Sequence, residues 1–202
     1  MTTRLSREER RAQLVALGME MIGASSFDEV SVDDVASAAG ISRSLLFHYF
    51  PSKRDFHVAQ ASASADEFLA ATAPDAFLPT APQLRDSLER YFDYVGARRH
   101  AYVSLVRGAT GGDDAMREVF DRTRQVIVDR ILAGFGTSGD DAPPLLQLGV
   151  RGWVAFAEEV SVAWLAGHGT SRGEVIDLLE QSLFDTVARA VQVSDSSSPV
   201  GP

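Results

Sequence analysis

Apolar residues recur every three or four positions along most of the chain, which is the spacing that places side chains on one face of an α-helix. The first such stripe follows Ser6 and Glu9, a serine and a glutamate at the spacing of a helix-capping box. Its apolar members are Leu14, Leu17, Met21 and Ile22. No segment alternates between apolar and polar residues as a half-buried strand does. The pattern therefore predicts an all-α protein.

Two short helices joined by a tight turn are predicted between residues 31 and 50. Ser31 is a suitable N-cap for the first helix, and Gly40 suits the turn that ends it. Ser42 is a suitable cap for the second helix, and Pro51 cannot continue it. A short helix, a tight turn and a second short helix form the helix-turn-helix pattern. The segment therefore indicates a DNA-binding head.

Prolines separate this head from the rest of the chain. The helical pattern is interrupted by Pro74, Pro79 and Pro82. We expect about nine helices in total, since the apolar periodicity resumes beyond the prolines. They would form a three-helix helix-turn-helix head at residues 1–57 and a helical body at residues 58–193. Residues 194–202 read as a disordered tail.

The distribution of charge changes how this head can bind DNA. The net charge of the chain is -9, which by itself disfavours affinity for phosphate groups. Residues 1–57 hold seven basic and eight acidic side chains, whereas the remainder holds twelve and twenty. From Ser42 to Arg54 there are basic side chains and no acid. Binding would therefore depend on where a few basic residues are placed.

Composition and motifs disfavour several other classes of protein. The chain has no cysteine, which excludes disulfides, thiolate metal sites and a cysteine nucleophile. The sequence contains no apolar run of about 18 residues and its start is charged, so we expect a cytoplasmic protein with no membrane partner. No phosphate loop, nucleophile elbow or metal-binding histidine spacing occurs, so we expect neither an enzyme nor a cofactor. The histidines concerned are His48, His57, His100 and His168.

Arg43, near the start of the second short helix, is the strongest candidate for reading a base. An arginine can donate two hydrogen bonds to O6 and N7 of guanine in the major groove. Tyr49, Ser31 and Lys53 carry groups that suit phosphate oxygens. The alternative is that the three helices belong to an ordinary bundle, with aromatic residues such as Phe50 in its core.

The segment FDEVSVDDVASAAGISRSLLFHYFPSKRDF resembles the DNA-binding head of TetR-type transcriptional regulators, and the resemblance extends over about residues 8–60. It implies that the second short helix enters the major groove of a double-stranded DNA operator. The DNA-binding residues expected here are Ser31, Ser42, Arg43, Ser44, Leu45, Phe47, His48, Tyr49 and Lys53. The chain departs from the family at Ser44, where glycine or another small residue is common, and at Phe47, where tyrosine is common.

The resemblance also implies that residues 58–193 form a ligand-binding and dimerisation domain, which pairs two copies as a homodimer and binds a small-molecule effector. In TetR-type regulators the last two helices pack against those of a second copy, and the candidates here are Trp153, Val160, Trp164, Leu179, Leu183 and Val187. A cavity in the body binds the effector in that family, and its candidate lining here is Phe68, Leu88, Tyr91, Phe92, Val95, Tyr102, Leu105, Phe120, Ile127 and Phe156. Candidate polar anchors for a ligand are Glu89, Glu158 and Glu159. The alternative is that the apolar residues form only the core.

Together these features predict a ligand-responsive transcriptional repressor. It would bind a near-palindromic operator as a homodimer and be released by a small apolar or amphipathic effector. The alternatives are a ligand-independent or nucleoid-type DNA-binding protein and, from another class, an enzyme. Salt-dependent binding to any DNA without a preferred sequence would favour the nucleoid-type protein.

Overall fold

Helices account for all the regular secondary structure in the part of the chain that the structure describes. The computed structural model describes residues 5–22, 30–108, 113–139 and 141–197. Within these residues the helices are α1 (Arg7–Ile22), α2 (Val32–Ala38), α3 (Arg43–Tyr49), α4 (Lys53–Ala71), α5 (Thr80–Ala97), α6 (Arg99–Gly108), α7 (Asp114–Gly134), α8 (Pro144–Leu165) and α9 (Arg172–Ser197). The prediction of an all-α fold with about nine helices is confirmed.

Serine caps set where several of these helices begin. At α1, the Ser6 N–H donates to Oε2 of Glu9 at 2.7 Å, and the Glu9 N–H donates to the Ser6 hydroxyl oxygen at 3.1 Å. The hydrogen bonds from the Ser6 backbone and hydroxyl lower the pKa of the Glu9 carboxyl. Ser171 and Glu174 form the same capping box at α9. Each box satisfies N–H groups that the first turn of a helix leaves unpaired.

The first compact unit of the chain comprises Met1–Phe68 and Ala97–Phe120. Its largest fully buried apolar side chains are Leu14, Leu46, Phe50 and Phe56. The rings of Phe50 and Phe56 meet edge to face with their centroids 4.9 Å apart, an arrangement that aromatic quadrupoles favour. Gly18 lets α1 approach α4, because a Cβ there would lie 2.7 Å from Cζ of Phe56. This core supports the inner side of α3.

The second compact unit comprises Leu69–Gly96 and Asp121–Pro202. Its fully buried side chains include Phe92, Leu132, Val150, Leu179 and Leu183. Arg85 of α5 joins α9 through ion pairs with Asp177 at 2.5 Å and Glu180 at 2.8 Å. These ion pairs join α5 to α9 within the second unit.

Helices α8 and α9 pack closely against each other within the second unit. The Trp153 indole N–H of α8 donates to the Leu179 carbonyl oxygen at 3.1 Å and to the Ser182 hydroxyl at 3.0 Å. Gly149 faces α9, because a Cβ at this position would lie 3.0 Å from Cγ2 of Thr186. The two helices thus share an interface along their length inside a single chain.

The C-terminal helix is longer than the sequence pattern indicates. Helix α9 continues to Ser197, whereas a disordered tail was expected from residue 194. The Ser194 hydroxyl donates to the Ala190 carbonyl oxygen at 2.9 Å, and the Ser196 hydroxyl donates to the Val193 carbonyl oxygen at 2.9 Å. These serines therefore bond to the helix backbone instead of ending the helix. Residues 198–202 of the expected tail lie outside the described residues.

None of the helices in the described ranges has a stretch that is both long enough and apolar enough to cross a membrane.

Candidate nucleic-acid interface

A tight turn sets the angle between α2 and α3. Gly40 has a φ of 64°, a backbone conformation that glycine adopts without the steric cost other residues bear. The Ile41 N–H donates to the Ala36 carbonyl oxygen at 3.0 Å, which closes the turn back onto α2. Val35 and Leu46 are fully buried where the two helices meet. The inner sides of α2 and α3 are thus fixed by packing, and their outer sides remain available.

Serine side chains cap both of these helices. The Ser31 hydroxyl accepts a hydrogen bond from the Asp33 N–H at 3.2 Å, and the Ser42 hydroxyl accepts one from the Leu45 N–H at 3.2 Å. Ser42 and Ser44 also share a hydrogen bond between their hydroxyls at 2.9 Å. Part of the hydrogen-bonding capacity of Ser31 and Ser42 is therefore used to start the helices.

Arg43 stands at the first position of α3 and is held by two neighbours. Its Nη1 donates to Oδ2 of Asp33 on α2 at 2.6 Å. Its guanidinium carbon lies 5.5 Å from the ring centroid of Phe47, within the range of a cation–π contact. The side chains of Arg43 and Asp33 are 60% and 55% exposed, so the pair lies in contact with solvent. The sequence pattern missed Asp33, because its pairing depends on how the turn folds α2 against α3.

The expected DNA-binding residues all retain solvent exposure. Those exposed are Ser42, Arg43, Ser44, Leu45, His48 and Lys53, and those half-buried are Ser31, Phe47 and Tyr49. They come from α3, from its cap and from the residues that begin α2 and α4. The structure therefore brings together a surface centred on α3.

Beyond α3, an ion pair anchors the start of α4. Arg54 donates from Nε to Oδ2 of Asp113 at 2.7 Å and from Nη2 to Oδ1 at 2.6 Å. Asp113 also caps α7, since its Oδ1 accepts from the N–H groups of Ala115 and Met116 at 3.0 and 3.2 Å. The Arg54 hydrogen bond is the main reason that the pKa of Asp113 is lowered to about 2. Lys53, the preceding residue, is thereby presented at the anchored end of α4.

Most of the residues expected at a dimer interface are buried in the interior of the second unit. Trp153, Leu179, Leu183 and Val187 are buried between α8 and α9 and are at most 8% exposed. Val160 and Trp164 are half-buried, and the Trp164 ring meets Phe92 of α5 edge to face at 5.1 Å. The exposed apolar residues of α8 are instead Leu145, Leu148 and Phe156. In the structure α8 and α9 of one chain cover these four residues, so their placement at a dimer interface stays a prediction.

The residues expected to line an effector cavity fall in both compact units. The first unit holds Phe68, Tyr102, Leu105 and Phe120. The second unit holds Leu88, Tyr91, Phe92, Val95, Ile127 and Phe156. Phe92 and Val95 are at most 1% exposed, whereas Phe156 is 41% exposed on the outside of α8. A groove of about 700 Å³ in the first unit, between α1 and α4, is lined by none of these ten residues.

The acidic residue Glu158 already has a partner. Arg124 of α7 donates from Nε to both carboxylate oxygens of Glu158, at 2.8 and 2.9 Å. The Glu158 side chain is only 13% exposed. Glu158, a candidate polar anchor for a ligand, therefore already has its charge paired with Arg124.

Two family models match the chain, one over the head and one over the body. Residues 14–59 match the model described as bacterial regulatory proteins of the tetR family. Residues 81–186 match the model described as the C-terminal domain of tetracyclin repressor-like proteins.

Solved structures and characterised regulators give the same picture. A TetR-family transcriptional regulator from Streptomyces coelicolor is 32% identical, with a TM-score of 0.78 over 95% of this chain and 84% of that chain. The transcriptional regulator EthR of Mycolicibacterium smegmatis is 42% identical over 26% of this chain and 24% of its own length. The transcriptional activator FasR of the same organism is 28% identical over 46% of this chain and 43% of its own length. The matches to EthR and FasR thus span less than half of either regulator. With a helix-turn-helix head, an all-helical fold and both family models matched, this chain belongs to the TetR family of DNA-binding transcriptional regulators.

Proposed function

We propose that this chain is a ligand-responsive repressor that binds a near-palindromic operator as a homodimer. The observation that carries the proposal is the surface centred on α3, where Arg43 and Lys53 are exposed beside a fully buried supporting core. On this proposal residues 1–57 bind DNA, and residues 58–193 bind the effector and the second copy.

Each chain would place α3 in the major groove. Arg43 would donate to a guanine, while Ser31, Tyr49 and Lys53 would contact phosphate oxygens. His48 and Ser44 lie on the same short helix and would contact neighbouring base edges or phosphates. Two such helices in a dimer would lie about 34–36 Å apart, or farther for a longer operator.

Homodimerisation is supported by exposed apolar residues on α8. Leu145, Leu148 and Phe156 recur at helical spacing on one face, and Leu148 is 67% exposed. Gly152 lies on the same face and is also exposed, which would let a partner helix approach closely. A second copy of the chain would cover this face and bury its apolar area.

The effector would be small and apolar or amphipathic. Within the second unit, Tyr91 is a candidate for contacting it, since its ring is flat and apolar. Release from DNA requires that the effector bind more tightly to the dimer conformation in which the distance between the two DNA-binding heads does not match the operator. Such coupling typically amounts to about 1–3 kcal/mol.

Activation is the second candidate for the direction of regulation. It is favoured by the similarity to FasR, whose name is that of an activator. A reporter gene driven by a promoter that carries the operator at its natural position distinguishes the two, because the chain lowers transcription there if it is a repressor and raises it if it is an activator.

The test of DNA binding is selection of bound sequences from random DNA, with the full chain and with Arg43→Ala and Lys53→Ala. We expect a near-palindromic sequence for the unaltered chain, loss of its base preference with Arg43→Ala, and uniformly weaker binding with Lys53→Ala. An unchanged preference with Arg43→Ala would contradict the assignment. Operator affinity that no ligand in a panel of apolar compounds alters would count against the effector.

A further inference from the structure

We infer that Asp33 is a specificity-determining residue, which positions the Arg43 guanidinium for a guanine and keeps it from contacting phosphates. This inference rests on the proposed binding of DNA by α3. Asp33 belongs to α2 and touches no base on this account. It would act through Arg43.

The geometry leaves Arg43 able to bind a base while Asp33 holds it. Asp33 accepts a hydrogen bond from Nη1 of Arg43, one of the three nitrogens of the guanidinium. The guanidinium has five N–H donors, so the Nε and Nη2 side retains the two that guanine O6 and N7 require. The ion pair therefore fixes the orientation of the guanidinium without using the donors that read the base.

Phe47 supports Arg43 from a second direction. The Phe47 ring is half-buried against the core of the first unit and lies 5.5 Å from the guanidinium carbon. A long arginine side chain loses considerable rotamer freedom when it binds. Because Asp33 and Phe47 already restrict Arg43 in the free protein, less of that freedom remains to be lost on binding DNA.

The carboxylate of Asp33 also opposes a competing contact. An unrestrained arginine at a protein–DNA interface readily binds phosphate oxygens, which carry no sequence information. A negative charge 2.6 Å from Nη1 repels a phosphate from that side of the guanidinium and leaves it directed toward a base. Asp33 thus favours sequence preference over general affinity.

Asp34 supplies a matched control. Both aspartates lie in the first turn of α2, and both are exposed. Asp33 holds Arg43, whereas no ion pair of Asp34 occurs among the described residues. Replacing either aspartate by alanine removes one negative charge from the same turn, so only the loss of Asp33 also releases Arg43.

The experiment measures DNA binding by fluorescence anisotropy at fixed salt. The DNAs compared are the selected operator and variants of it in which each of the other bases replaces the guanine that Arg43 reads. Asp33→Ala should lower the preference for guanine about two- to fivefold, the range for an exposed ion pair. Asp34→Ala should leave that preference unchanged. Asp33→Ala combined with Arg43→Ala should show the same preference as Arg43→Ala alone, because Asp33 acts through Arg43.

Three results separate the possible failures. If the guanine preference of Asp33→Ala equals that of Asp34→Ala, or exceeds that of the unaltered chain, the inference is overturned and the proposed function stays intact. An equal preference in the unaltered chain and in Arg43→Ala overturns both. Because the preference is a ratio of two affinities measured on one preparation, a smaller folded fraction leaves it unchanged. A double variant whose guanine preference differs from that of Arg43→Ala alone also overturns the inference.

Discussion

The outer side of α3 and the apolar stripes of α8 and α9 differ in how well the sequence pattern predicts which residues are exposed. On α3, every residue expected to face DNA is exposed or half-buried. On α8 and α9, most residues expected to face a second copy are buried within one chain. The difference arises because polar residues on a short helix must face solvent or a polar partner, whereas apolar residues only need to be covered. A stripe of apolar residues therefore indicates burial without identifying the partner.

The largest effect should come from two neighbouring leucines of α9 that differ in burial. Leu179 is fully buried and Leu178 is 49% exposed. Leu179→Ala should lower the free energy of unfolding by about 2–5 kcal/mol, because it removes buried methyl groups and leaves a cavity. Leu178→Ala should change it by about 0.5 kcal/mol or less. Urea denaturation at several protein concentrations measures both, and equal losses would contradict the assignment of inner and outer faces.

A charged residue placed on the exposed face of α8 tests whether a second copy of the chain binds there. Leu148→Asp should weaken self-association at least about tenfold, or 1.4 kcal/mol, because an unpaired carboxylate would be buried between the copies. Phe77→Asp is the control, since Phe77 is 97% exposed between α4 and α5. Sedimentation velocity over a range of concentrations gives the association constants. A chain that stays monomeric, or a Leu148→Asp variant that associates as tightly as the unaltered chain, would contradict the proposed dimer.

Adjacent basic residues at the start of α4 should differ in their effect on DNA binding. Lys53→Ala should reduce the slope of log K against log salt concentration by about one for each bound head, because one phosphate contact is lost. Arg54→Gln should leave the slope nearly unchanged, since Asp113 already binds the Arg54 guanidinium through two hydrogen bonds. Operator titrations at four salt concentrations measure the slope. An equal reduction in both variants would contradict the assignment of Lys53 as the phosphate contact.

The smallest effect concerns the pH dependence of the Arg54–Asp113 pair. The pKa of Asp113 is lowered to about 2 in the folded chain from 3.8, mainly by its hydrogen bond with Arg54. A carboxyl whose pKa is lower when folded stabilises the fold above its unfolded pKa, and this contribution is lost as pH falls from about 4 to about 2. Arg54→Gln should raise the pKa of Asp113 toward its ordinary value. Carboxyl chemical shifts during an NMR titration measure it, and an unchanged pKa would contradict the pairing.

Much of the fold could be predicted because its signals are local. Capping serines, the glycine of the turn and apolar periodicity act within a few residues, and Ser6, Gly40 and Ser42 each occupy the predicted role. The pairing of Arg43 with Asp33 could not be predicted, since it depends on the angle between two helices. The engagement of Glu158 by Arg124 joins residues 34 positions apart and leaves no local pattern.

On the proposed function, α3 enters the major groove and Arg43 reads a guanine there. Methylation interference tests it most directly, because dimethyl sulfate modifies guanine N7, the atom that Arg43 would contact. We expect that methylation of one guanine in each half-site blocks binding of the unaltered chain, and that Arg43→Ala binds methylated and unmethylated operator equally at this position. If methylation of the same guanine blocked binding of both proteins, or if interference were confined to adenine N3 in the minor groove, the assignment of Arg43 to a guanine would be contradicted.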